Sequence, residues 1–270
     1  PVEEPIMKRY VQRHRLEKVD ANAAVSEAVE PIIYYLDNGT PEPVKSALLE
    51  GGRWWNQAFE AIGYKNAFQV KMLPEDADPL DVRYNVIQWI HRSTRGWSYG
   101  SSVTDPRTGE IIKGHVSLGS LRIRQDFMIA QALMNSPYKS NDKNHNTMLE
   151  LAIARIRQLS AHEIGHTLGF AHNFASSTNS RASVMDYPHP MFEYDRDGNL
   201  QIKEAYDTGI GEWDKVFVAY AYSDFADGVN ENEALNAILD NAHRQGLEFI
   251  SDSDARPASS AHANAHLWDN

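Results

Sequence analysis

The chain has 270 residues, and 42% of them are hydrophobic, which is enough to bury a core in one large domain or in a domain with a smaller lobe. Its 26 basic and 37 acidic residues give a net charge of -11, which argues against nucleic acid or an anionic membrane surface as a partner. No cysteine is present, and no apolar run approaches the roughly 20 residues of a transmembrane helix. The chain does not start with Met and shows no signal-peptide pattern, so we expect an excised part of a longer protein.

The first half of the sequence predicts a sheet with helices against it. The twenty residues at the start are predicted as one strand-like segment, and an apolar run at 30–37 as a strand that ends at the turn pair Asn38-Gly39. Thr40 is predicted to cap a helix that runs to Gly63. The remaining predicted elements are strands at 68–73 and 84–90, a hairpin with strands at 97–104 and 110–118, and a helix at 121–133.

This order of elements predicts an α/β fold with a five-stranded, mixed, twisted sheet, an antiparallel edge strand and two long helices. The second long helix is predicted at 147–168, with a smaller, irregular lower lobe after about residue 169. Its apolar residues recur at helical spacing: Leu149, Ile153, Ile156, Leu159 and Ile164. The three predicted parts of the chain are an N-terminal extension at 1–27, a main domain at 28–226, and a C-terminal helix with a polar tail at 227–270.

Three histidines and a glutamate stand at fixed spacing in the second half. His162 and His166 are four residues apart on the predicted helix, so both imidazoles project from one face and can bind one metal ion. Glu163 can reach a water on that metal without being a ligand, and can take its proton as the water attacks a carbonyl. Gly169 can adopt the left-handed conformation that ends the helix, which delivers His172 as a third ligand. The spacing indicates a catalytic site for one zinc ion.

The stretch from His162 to His172 resembles the elongated zinc motif, HExxHxxGxxH, of the metzincin clan of metalloproteases. A second hallmark of that clan is the Met-turn, a tight turn with a methionine beneath the metal. The sequence at 183–187 is similar to it and puts Met185 under the three histidines. The resemblance covers 30–225 and implies a metzincin-like fold in which the main domain is catalytic. It also implies that the antiparallel edge strand binds the substrate.

Several stretches are similar to one family of large bacterial zinc-dependent metalloproteases, long labelled only as domains of unknown function. These stretches are 53–59, 91–97, 181–188 and 252–270. Such proteins are usually much longer and exported, so the resemblance implies further domains and a periplasmic, outer-surface or extracellular location. Asn173 follows the third histidine, and this residue sets the chain apart from astacins, matrixins, adamalysins and serralysins.

Residues around the motif are candidates for handling the substrate. Tyr187 lies two residues after Met185, as in astacins and serralysins, where that tyrosine can ligate zinc and swing to stabilise the oxyanion. The alternative is a buried tyrosine whose hydroxyl is satisfied. A peptide is expected to add as a strand to the edge of the sheet, and residues just after the Met-turn are expected to form a wall of the specificity pocket. The substrate-binding candidates are Ser98, Tyr99, Gly100, Ser101, Pro188 and His189.

Other patterns carry weaker signals. The segment 193–204 has the glycine and final glutamate of a calcium loop, but its first position is not Asp, so an acidic turn before a short strand is favoured over Ca²⁺. His262 and His266 have helical spacing, but a solvated tail is favoured there over a metal site. The basic alternations at 122–124 and 155–157 are interpreted as partners for carboxylates and not as a nucleic-acid patch.

The sequence as a whole predicts a zinc-dependent endopeptidase that uses a metal-activated water, with Glu163 as the general base. Two alternatives stay open. One is a zinc hydrolase of small or cell-wall peptides, because the motif does not encode the size of the substrate. The other is a non-catalytic binding module that keeps zinc for stability, and the presence of Glu163 counts against it because this residue has no ligand role. No pattern in the sequence specifies the side chain that the enzyme prefers.

Overall fold

The computed structural model describes residues 6–7, 9–93, 97–133, 145–198, 200–202, 204–226 and 228–255. Its strands are β1 (Ser26–Glu27), β2 (Ile32–Leu36), β3 (Tyr64–Lys65), β4 (Phe68–Met72), β5 (Asn85–Ile90), β6 (Tyr99–Thr104), β7 (Ile111–Gly119), β8 (Glu193–Tyr194) and β9 (Leu200–Gln201). The main sheet has the order β4-β2-β5-β7-β6. Neighbours from β4 to β7 pair in parallel, and β6 pairs antiparallel with β7 at the edge. The predicted five-stranded mixed sheet with an antiparallel edge strand is confirmed.

Some of the helices pack against this sheet, and others pack against neighbouring helices. The helices are α1 (Val44–Arg53), α2 (Asn56–Ala61), α3 (Leu121–Leu133), α4 (His145–Thr167), α5 (Glu212–Tyr222), α6 (Glu231–Arg244) and α7 (Asp252–Ala255), with a 3-10 turn at Phe174–Thr178. The single helix predicted from position 40 to 63 is wrong, because the chain breaks at Trp54 and Trp55 into α1 and α2. Both indoles are buried, and the Trp55 Nε1–H donates to the carbonyl of Ala161 at 2.7 Å. The break turns both rings into the core.

The start of α1 also differs from the prediction. Thr40 does not cap this helix, since α1 begins only at Val44 and its N-cap position, Pro43, has no side-chain cap. The Thr40 hydroxyl donates instead to the carbonyl of Asp37 at 2.9 Å, within the turn that follows β2. A threonine hydroxyl can hydrogen-bond a backbone group that precedes or follows it in the chain. Here it bonds a carbonyl of the preceding turn and not the start of the helix.

α4 is the long helix that the apolar spacing predicts, and it packs against α1. Ile156 and Ile164 are fully buried on its inner face. The two helices meet closely at Gly51, where a Cβ would clash with the backbone carbonyl of Arg157. Next to this contact, the Ser160 hydroxyl donates to the carbonyl of Leu48 at 2.8 Å. The helix that carries the histidine motif is therefore fixed on the core by backbone-level contact.

The first twenty residues do not form the strand-like segment that the sequence predicts, and that interpretation is wrong. Their described part makes only isolated β-bridges. Buried side chains hold it instead. His14 is buried with its Nε2 atom 3.1 Å from the Tyr34 hydroxyl oxygen, and its backbone N–H donates to the Tyr222 hydroxyl at 3.1 Å. These two contacts of His14, and not continuous strand pairing, hold the N-terminal segment on the domain.

Several other predictions concern the second half. The helix predicted at 147–168 begins two residues earlier in the structure, at His145, and ends at Thr167. His262 and His266 lie outside the described part. The segment 193–204 contains the hairpin of β8 and β9, and its calcium alternative stays a prediction, as does the division of the chain into three parts. None of the described helices has the length and apolarity that crossing a membrane requires.

Candidate metal centre

α4 and the turn after it bring three histidines together. His162 and His166 lie one turn apart near the end of α4, and His172 follows the helix. The Nε2 atom of His166 lies 3.2 Å from that of His162 and 3.1 Å from that of His172. The candidate ligand atoms of the three residues all lie within 4.8 Å of one another. The residues that the spacing predicts as metal ligands are therefore adjacent in space.

The turn between the helix and the third histidine depends on Gly169. Its φ is +99°, in the left-handed region, and a Cβ there would clash with the backbone carbonyl of Gln12. The next N–H, that of Phe170, donates back to the carbonyl of Gly165 at 3.0 Å, which is the bond that closes a helix with a left-handed glycine. The structure thus puts the chain reversal at the glycine that the sequence predicts as the pivot.

Each histidine uses its Nδ1 atom to bond an acceptor behind the ring. The Nδ1 atom lies 2.8 Å from the carbonyl of Val184 for His162 and 2.9 Å from the carbonyl of Phe170 for His166. For His172 the partner is the carboxylate of Asp252, at 2.7 Å. These acceptors require the proton on Nδ1, so each neutral ring presents a bare Nε2 lone pair.

This arrangement fits a cation. Three bare lone pairs that face one another at about 3 Å cannot hydrogen-bond among themselves, and a metal ion would satisfy all of them. Burial lowers the pKa of His162 well below its ordinary value, and burial together with the charge of His172 lowers that of His166 to about 4. Both rings are therefore neutral at pH 7, which is the form that binds zinc.

Glu163 is buried beside the histidines, between α4 and the edge strand. Burial raises the pKa of its carboxyl to about 7, against the opposing effect of the Arg155 charge and of a hydrogen bond from the Gly100 N–H. A Cβ at Gly100 would clash with the backbone carbonyl of Glu163, so β6 approaches α4 at backbone distance. The carboxyl is thus poised to exchange a proton near neutral pH.

The Met-turn residue lies beneath the helix. Met185 is fully buried, and a Cβ at Gly165, between the two helical histidines, would clash with its sulfur. The backbone N–H of Asn173 donates to the Met185 carbonyl at 3.0 Å, which joins the turn to the segment that carries His172. Met185 therefore packs under the histidine-bearing turn of α4, where the resemblance puts it.

Asp214 of α5 anchors this turn, and no spacing in the sequence identifies it. Its carboxylate accepts from the Ser183 hydroxyl at 2.6 Å and from the backbone N–H groups of Val184 at 2.9 Å and Gly211 at 2.6 Å. The Val184 carbonyl in turn accepts from His162. A buried carboxylate 42 residues beyond His172 thus orients the backbone group behind the first histidine.

Tyr187 stands over the histidines with its ring partly open to solvent. The ring centroid lies 4.6 Å from that of His172 and 5.3 Å from that of His162. Its exposed fraction is 44%, so it is not the buried core tyrosine of the alternative interpretation. Its position beside two histidines is compatible with the role that the resemblance implies, and that role stays a prediction.

The substrate-binding candidates divide into two groups. Tyr99, Gly100 and Ser101 belong to the edge strand β6, and the side chain of Tyr99 is exposed. Ser98, Pro188 and His189 line a cavity of about 380 Å³ that also includes Glu163 and Tyr187 in its walls. The strand edge and the post-turn wall therefore both border Glu163, and their contact with a substrate stays a prediction.

The link between His172 and the C-terminal region was not predicted. Asn173 is buried, its side-chain N–H donates to the Glu248 carbonyl at 3.0 Å, and its Oδ1 accepts from the Ile250 N–H at 3.1 Å. These bonds hold the segment from which Asp252 reaches His172. Asn173 differs from the residue that the better-known metzincin families carry at this position, and this difference was the sequence signal for the link. It did not indicate which residues Asn173 contacts.

Comparison with known proteins agrees with the motif. Residues 144–270, a little less than half of the chain, match a family model described as Met-zincin. The match includes the three histidines, Glu163 and Met185. The resemblance to the metzincin clan is therefore confirmed, and the match with the three-histidine group supports a zinc metallopeptidase in general terms.

Neither curated proteins nor solved structures refine this assignment. No curated protein matches the chain significantly. The crystal structure at 1.5 Å resolution of archaemetzincin from Methanopyrus kandleri is similar over 80% of this chain and 97% of that chain, with 15% sequence identity and a TM-score of 0.27. A score of this size does not establish a common fold, so the fold is assigned from the sheet order and the helices themselves.

Proposed function

We propose that this chain is a zinc-dependent endopeptidase with Glu163 as its general base. The observation that carries the proposal is the convergence of three Nε2 atoms, each on a ring whose Nδ1 is already hydrogen-bonded, beside a buried carboxyl. His162, His166 and His172 would hold one ion, which leaves an open position for water and substrate. When bound, zinc supplies a Lewis acid that polarises the scissile carbonyl and makes water more acidic.

The residues of the chain would move the proton. Glu163 takes a proton from the attacking water as the new C–O bond forms, and returns it to the nitrogen as the C–N bond breaks. A pKa of about 7 suits both transfers, because the group is neither a strong acid nor a strong base near neutral pH. The Tyr187 hydroxyl would donate to the negative oxygen that develops in between.

The edge strand supports an extended peptide as substrate. β6 pairs with β7 on one side, and β6 is the last strand in the sheet order. A peptide could add there as a further strand through backbone hydrogen bonds, and Gly100 would bring it close to Glu163. Strand addition requires backbone hydrogen bonds to several residues of the substrate. This requirement favours an endopeptidase over a hydrolase of dipeptides.

The test compares zinc content and peptide cleavage for three chains: the wild type, Glu163→Ala and Glu150→Ala. Glu150 is an exposed glutamate on the same helix, so it controls for the loss of a carboxyl from α4. Zinc is measured by elemental analysis, and cleavage by mass spectrometry on an unbiased library of long and short peptides. We expect one zinc ion in all three chains and cleavage by the wild type and Glu150→Ala only.

The outcomes separate the alternatives. Cleavage that is confined to short or cell-wall peptides would identify a small-peptide hydrolase. Bound zinc without cleavage by any chain would identify a zinc-stabilised binding module. Cleavage by Glu163→Ala at the wild-type rate would remove Glu163 from the mechanism. An exported location and further domains are proposed from the family resemblance, and export is checked by fractionating cells that make the parent protein.

A further inference from the structure

The cavity beside Glu163 has both apolar and charged side chains in its lining. It encloses about 380 Å³, which lies within the range of ligand-binding pockets. Its lining comes from α3, α4, the residue pair before β6 and the segment after the Met-turn. Leu151, Leu159 and Ile129 contribute apolar surface, while Arg122, Asp126 and Arg155 contribute charge. A cavity that adjoins the general base and contains buried charge can select a substrate side chain.

Arg155 is the buried cation of this cavity. It is 7% exposed, and its Nη1 atom has no hydrogen-bond partner among the described residues. The guanidinium lies over the ring of Tyr206, 5.6 Å from the centroid, so its face is covered while Nη1 stays free. A guanidinium cannot lose its charge in a protein, and a buried N–H without a partner is costly. This atom therefore requires an acceptor from outside the described fold.

Asp126 does not meet that requirement. One oxygen of its carboxylate, Oδ1, lies 3.3 Å from Nε of Arg122, four residues earlier on α3. The other oxygen has no hydrogen-bond partner among the described residues, although Asp126 is buried. The cavity lining therefore holds two guanidiniums and two carboxyl groups, those of Asp126 and Glu163, and neither carboxyl accepts a hydrogen bond from Nη1 of Arg155.

We propose that this cavity receives the substrate side chain that flanks the scissile bond, and that Arg155 selects a glutamate or aspartate there. The proposal rests on the proposed function and specifies its substrate class. A carboxylate would accept from Nη1 of Arg155 through a charge-assisted hydrogen bond, which is stronger than a neutral one. A lysine would add a third cation, and a leucine would leave the guanidinium unpaired. Glu163 also lines the cavity and its pKa is lowered by the charge of Arg155, but its carboxyl accepts a hydrogen bond from the Gly100 N–H and leaves Nη1 of Arg155 without an acceptor.

The chain offers a matched control on the same helix. Arg157 is two residues from Arg155, and its Nε donates instead to the exposed carboxylate of Glu50 at 2.7 Å, outside the cavity. Replacement of Arg157 by Gln removes an equal charge from α4 without altering the cavity. Arg122→Gln gives a second test, because this residue is on α3 and its side chain is partly exposed.

The experiment measures kcat/KM for one peptide sequence with Glu, Gln, Leu or Lys in turn at each position that flanks the mapped cleavage bond. Gln is the neutral match of Glu in size. We expect the wild type to prefer Glu over Gln at one of the two positions by roughly tenfold or more, as one charge-assisted bond provides. The Glu/Gln ratio should fall towards one in Arg155→Gln and drop in Arg122→Gln, and should stay at the wild-type value in Arg157→Gln.

Three results would overturn the proposal: equal cleavage of Glu and Gln peptides, an unchanged ratio in Arg155→Gln, or a preference for Lys, which would make Asp126 the selecting residue. Circular dichroism and zinc content show whether Arg155→Gln folds. If it does not, the Glu/Gln ratios of Arg155→Lys and Arg122→Gln test the proposal in its place. The same peptides are also titrated against zinc-loaded chain by fluorescence anisotropy. If no peptide is cleaved, the proposed function fails, and the affinity ratio for Glu over Gln still supports or contradicts selection by Arg155.

Discussion

The three histidines of the site differ in the acceptor behind each ring. His162 and His166 donate to backbone carbonyls, whereas His172 donates to the carboxylate of Asp252, 80 residues away. A carboxylate behind an imidazole fixes the tautomer and makes the other nitrogen a stronger electron donor than a neutral carbonyl does. Asp252 would therefore act on a bound metal through His172, as a positioning residue.

Replacement of Asp252 by Ala should weaken zinc binding. We expect the affinity to fall by about 10–100-fold, because His172 loses the acceptor that orients its ring. Asp252→Asn should give a smaller loss, since the amide oxygen can still accept. Competition with a chelating dye measures the affinity, and Asp240→Ala, an exposed aspartate of α6, is the control. Equal affinity in Asp252→Ala and the wild type would show that the contact has no influence on the metal.

Tyr187 offers a second test at the level of one side chain. Tyr187→Phe keeps the ring beside His162 and His172 and removes only the hydroxyl. If this hydroxyl donates to the developing negative charge, kcat should fall on the order of 10²-fold with unchanged zinc affinity. Steady-state kinetics and chelator competition measure the two quantities. A loss of zinc affinity would instead make the hydroxyl a ligand, and an unchanged kcat would leave the ring a packing role only.

At the scale of elements, the contact that sets the geometry of the site joins the edge strand β6 to α4. β6 can lie against α4 because Gly100 has no side chain, and its N–H reaches the Glu163 carboxyl. The same contact sets the distance between β6 and the carboxyl of Glu163. A peptide that pairs with β6 would therefore have its backbone set at a defined distance from the site.

Gly100→Ala should disturb this contact. The added Cβ would meet the Glu163 backbone carbonyl, and neither partner is the end of a flexible side chain. We expect a loss of about 1–3 kcal/mol in the free energy of unfolding, as for other overpacked sites, together with reduced cleavage. Urea unfolding measures the first and the peptide assay the second. Ser101→Ala, on the exposed next position of β6, should leave the free energy of unfolding near the wild-type value. Full stability in Gly100→Ala would contradict the close approach.

At the scale of the whole molecule, the site joins distant parts of the chain. Two candidate ligands belong to α4, the third follows Gly169, and the acceptor behind the third ring comes from α7. The N-terminal segment also takes part, because the Gln12 carbonyl lies where a side chain at position 169 would be. A bound ion would therefore hold α4, the following turn and the C-terminal segment to one another.

Removal of zinc should lower the stability of the entire chain. Binding to the folded state alone adds about 4 kcal/mol when free zinc is 1,000 times Kd, and a chelator removes this contribution. We expect a lower Tm after treatment with chelator and full recovery when zinc is restored. His172→Ala, with one ligand fewer, should respond much less to the same treatment. An identical Tm with and without zinc would argue against binding at the three histidines.

The sequence by itself determined the features that depend on local spacing. Helical periodicity places His162, Glu163 and His166 on one turn, and a glycine three residues on is suited to the left-handed end of the helix. Alternating apolar runs and a turn-rich hairpin predicted the mixed sheet and its antiparallel edge. Each of these depends on residues that are near in sequence, so the pattern is visible without a structure.

Only the tertiary structure decided which distant groups complete the site. Asp252, Asp214 and Arg155 reach their positions through packing between elements, and no spacing relates the first two to the histidines or distinguishes Arg155 from Arg157. The break of the first long helix at Trp54 and Trp55 is of the same kind, because burial of two indoles in the core overrides local helical preference. Long-range burial and hydrogen bonding select one partner among many equivalent residues, and that choice is made only when the chain folds.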